Sequence, residues 1–212
     1  MKTSRLIILN IVLALVIVAA GIGGYYYYYQ QSNYVKTDDA RVEGELTPLV
    51  SEVPGKLDSW KAKEGTTFKK GDVIGKIKTA EGQTLEIKAP ADGTVIQDKA
   101  QKGQMVTPGQ PMGNLVDLNN LYILSNIEET DYQDVKKGAD VKIKVDAAPD
   151  LTIEGKVKQR GLATASTFSM MPQQNSSGDY TKVVQRIPVK ISMDSYPDNL
   201  VPGMNATIEI SK

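Results

Sequence analysis

The chain has no histidine and no cysteine. Those absences remove a thiol nucleophile, a serine–histidine pair, a disulfide framework and the usual ligation of zinc, haem or iron–sulfur clusters. An excess of either charge is lacking too: 25 Lys plus Arg stand against 25 Asp plus Glu, so the basic footprint of nucleic-acid binding is missing. What stays open is carboxylate or lysine chemistry, or a protein that works by binding and holding. The adjacent carboxylates Asp38–Asp39 and Glu128–Glu129 do not make a hydrolytic pair. Neighbours on a strand point to opposite faces, and these residues read as solvated charge. No spacing nominates a general base, so no enzymatic turnover is expected.

One long apolar run is present. From Leu6 to Ile22 the chain has 17 residues, of which 12 are Leu, Ile or Val, and Asn10 is the one clearly polar member. Extended to Gly24 it would form a helix about 28 Å long, enough for one bilayer crossing. Insertion of those side chains is favourable by about 4 to 7 kcal/mol at most. Leu6, Ile7, Leu13, Val16 and Ile22 are the expected lipid-facing residues. Tyr25 to Tyr29, five consecutive tyrosines, would sit at the headgroup level. Lys2 and Arg5 precede the run and no positive charge follows until Lys36, which keeps the N-terminus cytoplasmic and the bulk of the chain outside. A cleaved signal peptide is the competing reading; the run is long for one, and no good Ala-x-Ala site follows.

Behind this segment lies a duplication. Gly55 to Ile77 (GKLDSWKAKEGTTFKKGDVIGKI) superimposes without a gap on Gly93 to Leu115 (GTVIQDKAQKGQMVTPGQPMGNL), and four glycines recur at a constant offset of 38 residues. Each half reads as short strands between glycine turns, too small to close a core alone. The two halves should interlock into one pseudo-twofold β-sandwich, joined by a hairpin at Lys78 to Glu86. Beyond Val116, Leu121–Ile127, Ala139–Val145, Leu151–Arg160, Val183–Ser192 and Asn205–Ile210 alternate as strands of a small barrel, completed by the upstream segment Tyr34 to Val50. The segment Ala163 to Lys182 (ATASTFSMMPQQNSSGDYTK) has no periodicity, and long loops of this kind are commonly functional. Its Phe168, Met170 and Met171 suit an adaptable docking surface. The expected organisation is a stub and transmembrane anchor at 1–30, a linker and first barrel strand at 31–50, a sandwich at 51–116 and a β-barrel at 117–212. The fold class is mainly β.

The paired halves resemble the lipoyl or biotinyl carrier fold, in which a modified lysine sits on the hairpin between half-motifs. Here Gly82 stands at about that place, and Asp98-Lys99-Ala100 lies inside the second half instead. No cofactor attachment is therefore expected. Three stretches carry a more specific resemblance. Val35–Gly44 (VKTDDARVEG) is similar to a Thr-Asp-Asp-Ala motif that follows the anchor in EmrA-type adaptors. Ile87–Gly109 has an Ala-Pro-x-Asp-Gly half-motif, and Phe168–Ile191 holds FSMMPQQN followed by VVQRIPVKI. The chain thus resembles the membrane fusion proteins, the HlyD family of periplasmic adaptors, in a short, lipoyl-like barrel-sandwich form. The family's coiled-coil hairpin has no counterpart, since only Lys78–Glu86 occupies its place. A Gram-positive source, with no outer membrane to bridge, accounts for that.

The resemblance implies an accessory subunit of a multidrug efflux or secretion system, tethered in the cell membrane. Its partner would be a polytopic transporter of the major facilitator type, and the adaptor itself would be a homo-oligomer. The implied docking loop comprises Phe168, Met170, Met171, Pro172, Gln174 and Asn175. The alternative is a surface-anchored binding or envelope-scaffold module with no pump.

Overall fold

The computed structural model describes residues 2–168 and 184–212, with the side chains of 2–10, 26–32, 165 and 168 outside that description. The chain divides into two compact units, 1–40 with 125–191 and 207–212, and 41–124 with 192–206. It opens with helix α1 (Lys2–Asn33). Strand β1 (Tyr34–Glu43) follows directly, then β2 (Leu46–Val50), β3 (Gly55–Trp60), β4 (Thr67–Phe68), β5 (Val73–Lys78), β6 (Thr84–Lys88), β7 (Gly93–Asp98), β8 (Met105–Val106) and β9 (Pro111–Val116). The last part holds β10 (Tyr122–Glu128), β11 (Asp140–Val145), β12 (Thr152–Arg160), a 3₁₀ turn at Ala165–Phe168, β13 (Arg186–Met193) and β14 (Asn205–Ser211).

The sandwich is two four-stranded sheets, ordered β2-β9-β7-β4 and β6-β5-β3-β8. Shifting each strand of the first half by the 38-residue offset turns β2 into β6, β3 into β7, β4 into β8 and β5 into β9. The same operation converts one sheet order into the other, so each sheet mixes strands of both halves. The expected interlocking is therefore observed, and the duplication reaches further upstream than the sequence match. Leu46–Val50 pairs with β9 in the sandwich, while Tyr34–Glu43 alone completes the barrel. The joint between halves is tight: Lys78 pairs with Thr84, and Thr79 donates its N–H to the Gln83 carbonyl at 2.8 Å.

The recurring glycines have two kinds of physical cause. Gly103 sits at φ +90°, as its counterpart Gly65 does at +82°, a region where side chains with a Cβ are strained. Gly113 instead faces the partner strand so closely that a Cβ would lie 2.5 Å from the Gln97 carbonyl oxygen. Inside, Leu57, Ile74 and Ile77 of one half pack with Val95, Met112 and Leu115 of the other into one buried core. A polar clasp closes this interlock. Trp60 donates its indole N–H to Asp98 Oδ1 at 2.8 Å, Lys63 Nζ donates to Oδ2 at 2.8 Å, and the Ala100 N–H donates to Oδ1 at 3.1 Å. Trp60 and Asp98 are equivalent positions of the two halves, so this clasp spans the pseudo-twofold axis.

The other strands form a closed barrel in the order β1-β10-β13-β12-β11-β14. Alternation drives it: on β11 Val141, Ile143 and Val145 are buried while Lys142 and Lys144 are exposed, as the period-2 pattern predicts. On β10 the inward set is Ile123, Ser125 and Ile127. Ser125 is fully buried and its hydroxyl has no hydrogen-bond partner among the described residues. An unsatisfied buried hydroxyl carries a desolvation penalty of about 1–3 kcal/mol. Ser125→Ala is expected to stabilise the protein by about 1 kcal/mol, seen as a higher urea midpoint at unchanged slope. A lower midpoint would contradict this.

Helix α1 contains the whole apolar run. Where its side chains are described, Leu13, Val16, Ile22 and Tyr25 are exposed together with Ile11, Val12, Leu15, Ile17 and Val18. The side chains of Leu6, Ile7 and Tyr29 lie outside the described residues. Among the described residues no helix is long and apolar enough to cross a membrane. Of the expected docking loop, Met170, Met171, Pro172, Gln174 and Asn175 lie outside the described residues. Phe168 ends the 3₁₀ turn, its side chain likewise outside them.

Candidate functional site, the loop stem of the barrel

The two ends of the long loop are held at one end of the barrel. β12 leads into Gly161, whose N–H donates to the Pro188 carbonyl at 2.7 Å. A Cβ on Gly161 would meet that oxygen at 2.6 Å, so the chain passes here only as glycine. Tyr132 adds a hydroxyl bond to the Gly161 carbonyl at 2.6 Å, and the Arg160 guanidinium lies 4.1 Å over the Tyr132 ring. On the incoming side, Thr164 bonds Ser166 and Thr167 through hydroxyls at 2.9 and 3.1 Å, winding the 3₁₀ turn. Ser166 then donates to the Gln185 side-chain carbonyl, closing the stem across the loop. The Glu129 N–H donates to the Gln185 backbone carbonyl at 3.0 Å, which joins this stem to the end of β10.

Beside the stem lies an ion-pair network on the outer face of three neighbouring strands, β1, β10 and β13. Arg186 pairs with Asp39, and its second nitrogen lies 3.9 Å from Glu128. Asp39 also accepts from Asn126 Nδ2 at 3.1 Å, while its own N–H donates to Thr37 Oγ1 at 3.1 Å. The hydrogen bond to Asp39 and that residue's charge, with Glu128 and Asp38 behind, raise the Arg186 pKa above its ordinary value. Burial along β1 slips phase between Val35 and Ala40, which are both buried, so strict alternation fails at Asp38–Asp39. The solvated-charge expectation therefore does not hold for Asp39. It is the partner of an arginine 147 residues away.

This network joins two stretches that the sequence presented separately, Thr37–Ala40 after the helix and Val184–Ile187 after the loop. Sequence reasoning missed Arg186 and Asn126 because strand adjacency in a closed barrel has no local signature. It also missed Leu162, 98% exposed, and Val184, 57% exposed, the apolar residues flanking the loop. Two exposed apolar side chains that flank the loop in the chain are a signal that hydropathy alone carried.

The barrel end bearing the stem is the one that α1 leaves. Asp39 lies beside Asn126, while just past β1 a Cβ on Gly44 would lie 3.0 Å from the side chain of Leu121, just before β10. β1 and β10 thus run in opposite directions, placing Tyr34 near the Glu128 end. The Asn33 carbonyl at the close of α1 accepts the Lys212 N–H at 3.0 Å, and Lys212 Nζ pairs with Asp134 at 2.8 Å.

Residues 45–117 match the family description "YhbJ, barrel-sandwich hybrid domain", and residues 121–210 match the "YknX-like beta-barrel domain". The chain is 46% identical over 212 residues to YhbJ of Bacillus subtilis (strain 168), named as an efflux system component, covering 100% of this chain and 95% of that one. It is 38% identical over 129 residues to the colistin resistance protein EmrA of Acinetobacter baumannii, covering 59% of this chain and 36% of that longer protein. The solved periplasmic adaptor protein EmrA superimposes with a TM-score of 0.56 over 85% of this chain and 99% of that one, at 15% identity, which speaks for the fold. The sandwich and barrel family models, with the match along nearly the whole of YhbJ, make this an adaptor of efflux systems, a class that is not enzymatic. The chain belongs to the EmrA-type branch of the HlyD family of membrane fusion proteins.

Proposed function

We propose that this adaptor is anchored by α1 as a single span, with its N-terminus cytoplasmic and its bulk outside the membrane. It serves a polytopic drug transporter of the major facilitator type by docking through the loop Phe168–Asn175. The carrying observation is the stem: both ends of that loop are fixed on the barrel end that α1 leaves. A tether there confines the loop to the membrane surface and raises its effective concentration at the partner's outer mouth. The apolar run, the tyrosines Tyr25–Tyr29 and the bias of Lys2 and Arg5 support the span and its orientation. The five-residue turn Thr79–Gln83 where longer adaptors carry a coiled coil supports an envelope with no second membrane to reach. A homo-oligomer completes the proposal, on family resemblance.

The test is co-purification of the full chain from membranes solubilised in mild detergent. A polytopic transporter recovered with wild type, and lost from the triple variant Phe168→Ala, Met170→Ala, Met171→Ala, is the expected result. Recovery of a soluble envelope component alone would overturn it in favour of a scaffold.

A further inference from the structure

On the outer face of the β6-β5-β3-β8 sheet, Lys78 of β5 lies directly opposite Lys56 of β3, and Lys56 lies opposite Met105 of β8. Strands are about 4.8 Å apart, and like charges facing each other at that spacing are destabilising. Among the described residues neither lysine has an ion-pair partner, nor does Lys102 in the turn before β8. Lysines often guard sheet edges, but β5 and β3 are the inner strands of this sheet. The duplication allows the two outer faces to be compared. The positions equivalent to Lys56 and Lys78 are Thr94 and Val116, which face each other in the second sheet. Val116 is buried whereas Lys56 and Lys78 are exposed, so the lysine pair marks the face of the sandwich that stays open to solvent.

Two concavities share Lys56 and Lys78. One, of about 600 Å³, is completed by Lys102, Gly103, Leu57 and Asp58. The other, of about 530 Å³, continues past the lysines along Val53, Pro54, Leu85 and Met105 to the hairpin turn and Glu81. Met105 is 69% exposed and Leu85 38%, so an apolar strip adjoins the ammonium groups. Three lysines against Asp58 and Glu81 leave one net positive charge. That balance fits a singly charged head, and lysine accepts an anion as a point charge with no demand for planarity.

We propose that this face is a binding site for an amphipathic monoanion. Its carboxylate- or sulfonate-type head sits among Lys56, Lys78 and Lys102, and its apolar body lies along Val53, Leu85 and Met105. The site stands independently of which transporter the adaptor serves.

The test uses the full chain with methyl-labelled methionine in nanodiscs of zwitterionic lipid, titrated with octanesulfonate and followed by NMR. The Met105 methyl signal should shift saturably, while that of Met112, buried in the sandwich core, stays in place. Octyltrimethylammonium and methanesulfonate should leave Met105 unmoved. Lys56→Gln with Lys78→Gln should weaken binding about tenfold, and Leu85→Ser about fivefold, whereas Lys56→Arg with Lys78→Arg should retain it. The glutamine pair relieves a repulsion, so its unfolding midpoint should equal or exceed that of wild type, separating lost binding from lost folding. An equal Met105 shift with the cationic amphiphile or with methanesulfonate, or undiminished binding by the glutamine pair, would overturn the proposal.

Discussion

Asp98→Ala is expected to destabilise the sandwich by about 3 kcal/mol, more than any other single polar truncation in it, because hydrogen bonds to a charged group are worth about 1.5–3 kcal/mol each and three converge here. The side chain is 13% exposed, and it binds the Trp60 indole, the Lys63 ammonium and the Ala100 N–H. Alanine leaves the half-buried indole donor without its acceptor and unfastens the two halves at their twofold axis. Asp98→Asn should cost about half as much, since its carbonyl can still accept from Trp60 while the charge toward Lys63 is gone. Urea midpoints measure both; a loss below about 0.5 kcal/mol for alanine would show that apolar interlocking alone holds the halves.

The same carboxylate gives the sandwich an acid dependence. Burial pushes its pKa up, but the bonds from Lys63, Trp60 and Ala100, with the charge of Lys63, outweigh burial and hold it below the usual carboxylate value. A depressed folded-state pKa means the unfolded chain binds the proton first as pH falls. The contribution is present above the unfolded value, about 3.9, and is lost as pH drops through the lower folded value. In a pH series Asp98→Asn should lack that part of the wild-type decline below about pH 4. Identical acid slopes in the two proteins would contradict the assignment.

Arg186→Ala is expected to abolish adaptor function while leaving the barrel folded. The Arg186 pairs with Asp39 and Glu128 are at the surface, where ion pairs add little to global stability, so the unfolding midpoint should barely move. The stem is another matter, because Arg186 follows Gln185, which takes bonds from both Ser166 and Glu129. Amide exchange at 162–167 and 184–186 should accelerate about tenfold as that local unit opens more often. Drug resistance conferred with the partner transporter should fall toward that of a strain lacking the adaptor. Arg186→Lys should be intermediate, since an ammonium keeps the charge but cannot fork between two carboxylates. Full resistance in the alanine variant would remove the stem from the docking account.

Much of the fold was legible because it is periodic. Alternation in Ala139–Val145 and Asn205–Ile210 marked barrel strands, and the 38-residue recurrence marked the sandwich halves, since turns and close strand approaches admit glycine and little else. The recurrence faded upstream for a physical reason. Leu46–Val50 (LTPLV) and Thr84–Lys88 (TLEIK) occupy equivalent edge strands, where only one side is paired and side-chain identity is loosely constrained. Edge protection is achieved differently in each, by Pro48 in one and by Glu86 with Lys88 in the other. Equivalent backbone positions thus carry unlike residues.

By itself the sequence determined the order of parts: an apolar run of bilayer length, a duplicated β unit, a set of alternating strands and one aperiodic loop. Each is a local property, set by hydropathy, period and turn chemistry along consecutive residues. Tertiary structure alone decided that Trp60 clasps Asp98, that Lys56 faces Lys78, and that Asp39 meets Arg186 beside the stem residues Ser166 and Gln185. Those pairings depend on which strands become neighbours when sheets close, and closure is fixed by the packing of the whole inward-facing set rather than by any stretch of chain.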